Sequence, residues 1–93
     1  MTHYKTIPGV TNVRALSAFA GNTKFDFWKE VEVGDILQVE VTLTFFGTGY
    51  PSVTNLRTGK KFSINQHRNL SAYLNFKEPG DGLKQINWEI VRN

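Results

Sequence analysis

The chain has 93 residues, of which 40% are hydrophobic and 13% aromatic, and its net charge is +3. This length has room for one domain, residues 1–93, and the apolar content excludes an intrinsically disordered chain. Cysteine is absent, which excludes a disulfide framework, a thiolate nucleophile and a cysteine-based zinc site. Neither a signal peptide nor an apolar run of about 20 residues is recognisable, so we expect a cytoplasmic protein without membrane contact.

Charge is distributed unevenly along the chain. Residues 26–40 contain five acidic residues and one basic residue, whereas residues 41–77 contain five basic residues and no acidic residue. The basic residues of the second segment are Arg57, Lys60, Lys61, Arg68 and Lys77. Such an asymmetry is typical of an anion-binding surface or of a solvated face, and the sequence alone leaves both open.

The stretch from Val13 to Trp28 is compatible with two structures. As a β-hairpin that turns at Gly21, it would place Phe25 and Phe27 on one apolar face beside a partner strand. As a short helix from Val13 to Ala20, it would end at Gly21. We favour the hairpin because Phe25 and Phe27 need a partner strand.

The strongest secondary-structure signal is the stretch from Ile36 to Phe45. Apolar residues such as Leu37, Val39 and Val41 alternate there with polar residues, and β-branched residues are frequent. This period of two predicts a half-buried strand. The tripeptide Val33-Gly34-Asp35 that precedes it predicts a turn.

The second half of the chain predicts three further strands and one short helix. Short strands at Ser52–Leu56 and Lys61–Asn65 flank Gly59, which can adopt the positive φ of a hairpin turn. One or two helical turns are expected within residues 67–74. Alternating apolar residues between 86 and 90 predict a final strand.

These elements predict a mainly β fold, a single small barrel of five or six short strands, SH3-like or OB-like, with one short helical turn near residues 67–74. The expected core residues are Leu37, Val39, Val41, Leu43, Phe62, Ile64, Ile86, Trp88 and Ile90. Compact, cysteine-free chains of this kind resemble small phage proteins, although no motif supports a named family.

The sequence offers little catalytic chemistry. Its two histidines, His3 and His67, are far apart, and no cysteine is present to complete a zinc site. The neighbours of His67 in the sequence include no acid that would orient it as a base. The Gly-x-Gly segments at 47–49 and 80–82 lack the following helix that a phosphate-binding loop needs. We therefore expect a binding protein rather than an enzyme, with no cofactor and no metal.

The acid-free segment contains the best candidate for a binding site. Small β domains recognise single strands with cations that follow the backbone and with aromatic rings that stack on bases. The residues of these types are the cations Arg57, Lys60, Lys61 and Arg68, the aromatics Phe46 and Tyr50, and His67. The sequence therefore predicts a site for single-stranded DNA or RNA.

A protein partner is the alternative. The acidic segment 26–40 could meet a basic partner, and an edge strand could pair with another chain. Trp28 alternates away from Phe25 and Phe27 in the hairpin interpretation and could be an exposed anchor. Such a chain would be an adaptor, an inhibitor of an enzyme or a homodimer. The sequence does not decide between the two partners, and nucleic acid is the more specific hypothesis.

Overall fold

The computed structural model describes residues 9–21, 23, 25–42, 48–63, 67–74 and 86–92. Its elements in chain order are β1 (Val10–Ala15), α1 (Asp26–Lys29), β2 (Ile36–Val41), β3 (Pro51–Asn55), β4 (Lys61–Ser63), α2 (Leu70–Leu74) and β5 (Trp88–Ile90). The prediction of a mainly β fold with a short helix in residues 67–74 is therefore confirmed.

The five strands form one antiparallel sheet in the order β4-β3-β2-β1-β5. In the central strand β2, Leu37 lies opposite Val13 of β1 and opposite Asn55 of β3. Within the described residues the sheet is open, with β4 and β5 at its two edges, so the predicted barrel is not confirmed.

The sheet has a helix-covered face and an outer face, because successive side chains of a strand point to opposite sides. On the first face Leu37, Val39 and Val53 are fully buried, and Trp28 of α1 and Tyr73 of α2 pack with them in one core. The outer face carries the residues that alternate with these, including Arg14, Gln38, Glu40, Ser52, Thr54, Lys61 and Ser63.

The predicted core is confirmed in part. The residues that are buried as predicted are Leu37, Val39, Val41 and Ile86. Phe62 and Trp88 are only partly buried against the core, and Ile90 is 39% exposed, so its predicted burial is wrong. Ile90 lies on the edge strand β5, where the sheet covers it from one side only. Leu43 and Ile64 lie outside the described residues.

The hairpin predicted from Val13 to Trp28 is wrong, and so is the alternative helix from Val13 to Ala20. Residues 13–15 belong to β1, which pairs with β2 and β5. Phe27 lies in α1, where residues 26–29 make a single helical turn. The sequence pattern failed here because β1 takes its partners from distant parts of the chain.

Trp28 is a core residue, so the prediction that it is an exposed anchor is also wrong. It is 1% exposed, and the centroid of its ring lies 4.8 Å from that of Phe27 and 5.4 Å from that of Phe62 on β4. Phe25 packs edge-on against the same ring of Phe62, with centroids 5.0 Å apart. The aromatic residues of this segment therefore find partners in each other and in β4 rather than in a hairpin strand.

The turn between β3 and β4 and the start of α2 follow from local sequence. Gly59 has a φ of 75°, and its amide donates a hydrogen bond to the carbonyl of Asn55 at 2.8 Å, as predicted for a glycine hairpin turn. The side chain of Asn69 accepts a hydrogen bond from the amide of Ala72 at 2.6 Å, which caps α2.

Among the described helices, none is long and apolar enough to span a bilayer.

Candidate functional site

An exposed aromatic side chain lies at the start of β3. Tyr50 is 59% exposed, and alternation from the buried Pro51 places it on the outer face of the sheet. Its ring centroid lies 5.0 Å from that of the exposed His67, with 60° between the ring planes. The hydroxyl of Thr48 is 3.2 Å from Nδ1 of His67, which orients the imidazole. Two adjacent rings are thus presented at this end of the strand.

A backbone bridge holds this group together. The amide of Gly49 donates to the carbonyl of Arg68 at 2.9 Å, and the amide of Arg68 donates to the carbonyl of Gly49 at 2.7 Å. Gly49 is buried, and a Cβ atom there would overlap the carbonyl oxygen of Thr42. Glycine is therefore required for the close approach of two backbones. We call Thr48, Tyr50, His67 and Arg68 the Tyr50 cluster.

The opposite end of β3 carries a charged network around Asp35, whose side chain is 4% exposed. Nε and Nη2 of Arg57 donate to the two carboxylate oxygens of Asp35, at 2.7 and 3.1 Å. The amide group of Asn55 and the backbone amide of Glu32 donate to the same carboxylate, each at 2.9 Å. This carboxylate therefore joins the segment before β2 to the end of β3.

The environment of Asp35 favours its charged form. Burial by itself raises the pKa of the carboxyl group, but the hydrogen bonds from Arg57, Glu32 and Asn55 and the positive charge of Arg57 outweigh burial and lower the pKa of Asp35. The same hydrogen bond to Asp35 raises the pKa of Arg57. We interpret this pair as structural, since both groups remain ionised at neutral pH and satisfy each other.

Lys60 joins the network from the turn between β3 and β4. Its Nζ donates to both carboxylate oxygens of Glu30, at 2.8 and 2.9 Å, and the two side chains are 54% and 40% exposed. Arg57 also donates to the backbone carbonyl of Glu30 at 2.7 Å and lies 3.5 Å from a carboxylate oxygen of Glu32. We call Glu30, Glu32, Asp35, Asn55, Arg57 and Lys60 the Arg57 network.

The outer face is accessible along β3 and β4, and also at Glu40 of β2 and Glu89 of β5. Thr54 lies opposite Lys61 and Ser52 lies opposite Ser63, so these four side chains form a polar strip on that face. The two β4 residues are exposed and the two β3 residues half-buried, whereas Asn12 on the same face of β1 is buried. We call Ser52, Thr54, Lys61 and Ser63 the outer strip. It begins next to the Tyr50 cluster.

The predicted site residues are distributed over the Tyr50 cluster, the Arg57 network and the outer strip. Tyr50 and His67 contact each other in the Tyr50 cluster. Arg68 joins it through its backbone bridge to Gly49, and its Nη1 donates to the carbonyl of His67 at 3.0 Å. Lys61 lies on the outer strip. Arg57 and Lys60 are held in the Arg57 network at the other end of β3, and Pro51 to Asn55 alone span about 13 Å. Their pairing with carboxylates of the acidic segment reduces the positive charge that they present. Phe46 lies outside the described residues.

Sequence reasoning missed the acidic partners of these cations. Asp35 precedes Arg57 by 22 positions and Glu30 precedes Lys60 by 30, so no local pattern connects them. The one available signal is the opposite charge of residues 26–40 and 41–77, which is compatible with pairing between the two segments. The contact of Thr48 with His67 has no such signal.

The Tyr50 cluster and the outer strip combine aromatic rings, positive charges and hydroxyl groups. Tyr50 and His67 present ring faces, Arg68 and Lys61 carry positive charge, and the hydroxyl groups of the strip donate and accept hydrogen bonds. Among the described residues, no group of three or more histidine, aspartate or glutamate side chains is arranged to hold a metal ion. No protein-family model, no curated protein and no solved structure matches the chain.

Proposed function

We propose that this protein is a non-enzymatic binding module for single-stranded nucleic acid and that its ligand lies along the outer face of β3 and β4. One observation carries the proposal: the exposed ring of Tyr50 lies 5.0 Å from the ring of His67, at the end of a polar strip that includes Lys61. The finer expectations, an SH3-like or OB-like barrel and a cytoplasmic location, are part of the same proposal.

Stacking on Tyr50 would supply affinity for a base. A base on an aromatic side chain contributes about 1–3 kcal/mol, and every base has a face that can stack. The imidazole of His67 lies beside this ring at an interplanar angle of 60° and offers a second aromatic surface. We therefore expect the Tyr50 cluster to hold one or two bases with little preference for their identity.

The strip supplies contacts for the backbone of the ligand. Lys61 and Arg68 attract phosphate groups, and the hydroxyl groups of Ser52 and Thr54 can donate to phosphate oxygens or to base edges. Phosphate contacts position a nucleic acid but carry no sequence information. Binding should therefore be weakly sequence-selective and should weaken as salt increases.

A fluorescence anisotropy titration with labelled single-stranded oligonucleotides at two salt concentrations tests the proposal. We expect Tyr50→Ala to weaken binding by about 1–3 kcal/mol and Tyr50→Phe, which keeps the ring, to bind like the parent. Lys61→Ala should reduce the slope of log affinity against log salt by about 0.7, the value for one phosphate contact on a single strand. Lys29→Ala is the matched control, since this exposed lysine lies on α1.

The result that would refute the proposal is a parent protein that does not bind below tens of micromolar at low salt. Equal losses in Lys61→Ala and Lys29→Ala would also contradict it, because they would indicate attraction to net charge alone. A loss in Tyr50→Phe equal to that in Tyr50→Ala would exclude stacking.

A protein partner is the second candidate function, and a group of exposed apolar side chains favours it. Val33 is 68% exposed, and Leu16 and Leu56 are also exposed. Their chain segments meet at one end of the sheet, where the amide of Gly34 donates to the carbonyl of Ala15. If this surface joins two copies of the chain, sedimentation should detect a dimer that Val33→Asp abolishes. A monomer at all concentrations would exclude the homodimer.

A further inference from the structure

Two ion pairs of the Arg57 network differ sharply in how firmly they are held. The carboxylate of Asp35 is 4% exposed and receives four hydrogen bonds, two of them from Arg57. The side chain of Glu30 is 40% exposed, and within the part of the chain that the structure describes its carboxylate accepts hydrogen bonds from the ammonium group of Lys60. An external anion can therefore reach Lys60, whereas Arg57 is hydrogen-bonded to the buried carboxylate of Asp35.

Exposed pairs of this kind are weak. An ion pair between solvent-exposed side chains shifts an equilibrium by less than about fivefold, because water and salt screen it and two flexible side chains must be ordered. A phosphate group of a bound strand offers Lys60 the same kind of charge-assisted hydrogen bond that Glu30 offers. The exchange of one anion for the other is therefore nearly balanced in free energy.

We infer that Glu30 competes with the nucleic-acid ligand for Lys60. The carboxylate of Glu30 pairs with the ammonium group of Lys60, and a phosphate group of the ligand must displace this carboxylate before Lys60 can contact the ligand. This inference rests on the proposed function and concerns the regulation of its affinity. Lys60 directly precedes Lys61 of the outer strip, but successive side chains point to opposite sides and Lys60 contacts Glu30 on the side of α1. A strand that follows β4 towards the turn therefore reaches Lys60 by passing round this edge of the sheet. Arg57 remains with Asp35 in both states.

The test compares oligonucleotide binding by the parent, Glu30→Gln, Lys60→Ala and the double variant. Glu30→Gln should bind about twofold to fivefold more tightly, because Lys60 is released, and its salt slope should be steeper by about 0.7. The double variant should lose this gain and bind like Lys60→Ala, since the two residues act through one contact. Asp26→Asn is the matched control, because it removes one negative charge from α1 without releasing Lys60.

The outcomes separate this inference from the proposed function. If the parent binds and Glu30→Gln gains no more than Asp26→Asn, the inference is wrong and the proposed function remains. If the double variant keeps the full gain, the effect does not pass through Lys60 and the inference is also wrong. If the parent does not bind, both are wrong. Circular dichroism should show that Glu30→Gln is folded, since the hydrogen bond from Arg57 goes to the backbone carbonyl of Glu30, which the substitution keeps.

Discussion

Arg57 and Asp35 form a partly buried ion pair between positions 22 residues apart, with 2.7 Å from Nε to Oδ1. The pair connects the turn between β3 and β4 to the segment that enters β2. It also shows that a cation of the acid-free segment has a structural partner in the acidic segment. A positive patch inferred from sequence alone therefore overstates the charge available to a ligand.

Removal of Arg57 should destabilise the fold. Arg57→Ala leaves the buried carboxylate of Asp35 without its main partner, and we expect the free energy of unfolding to fall measurably. Urea denaturation measures this loss. Arg14→Ala is the control, because its ion pair with Glu89 is exposed on both sides and should contribute less than about 1 kcal/mol. Equal losses would contradict a structural role for the Arg57 network.

Stability should fall in acid because of Asp35. Its pKa in the folded state is lowered, so its contribution is fully present above the unfolded pKa of about 3.9 and is lost as pH falls through the folded value. Thermal unfolding between about pH 2 and pH 7 measures the decline. Asp35→Asn should start from a lower stability and lose less of it in acid. If the two proteins lost the same stability as the pH falls, other carboxylates would be the cause of the acid sensitivity.

Trp28 should have the fluorescence of a buried indole. In a Trp88→Phe background, Trp28 is the remaining tryptophan, and its emission should be blue-shifted and protected from acrylamide. Emission typical of water-exposed tryptophan would contradict the position of α1. Trp28→Ala should cost about 3–5 kcal/mol, a large share of the 5–15 kcal/mol expected for a whole domain.

Gly49→Ala should destabilise the protein at the backbone bridge that holds the Tyr50 cluster together. The new methyl group would overlap the carbonyl oxygen of Thr42, and we expect a loss of about 1–3 kcal/mol in stability. Gly59→Asn is the control, because asparagine tolerates the positive φ of that turn and should change stability by less than about 1 kcal/mol. A Gly49→Ala variant as stable as the parent would mean that the bridge to Arg68 is not closely packed.

Local patterns predicted the parts of the fold whose determinants are local. The alternation through Leu37, Val39 and Val41 identified β2, and Gly59 identified the turn between β3 and β4. The segment around Trp28 was not predictable in this way, because its aromatic rings are partnered by Phe62 on a distant strand. Tertiary packing produced neither the predicted hairpin nor the alternative helix from Val13 to Ala20, but strand β1 and the helical turn α1.

For the candidate site, the sequence indicated which residue types are involved but not the contacts between them. Residue types and the absence of acids indicated residues 41–77, where Tyr50 and Lys61 are exposed but Tyr73 is buried and Phe62 is partly buried. The pairing of Lys60 with Glu30 depends on how α1 lies beside the turn, and the contact of Tyr50 with His67 depends on the bridge between Gly49 and Arg68. Both are long-range consequences of the fold, which no local pattern encodes.

The most direct test of the central claim is an NMR titration of the ¹⁵N-labelled protein with an unlabelled single-stranded oligonucleotide at low salt. We predict that the largest changes in amide chemical shift fall on residues 48–54, on β4 and on residues 67–68, with small changes on β5. The account would be contradicted if the amide chemical shifts of β3 and β4 stayed unchanged at saturating oligonucleotide. It would also be contradicted if the changes were confined to Leu16, Val33 and β5.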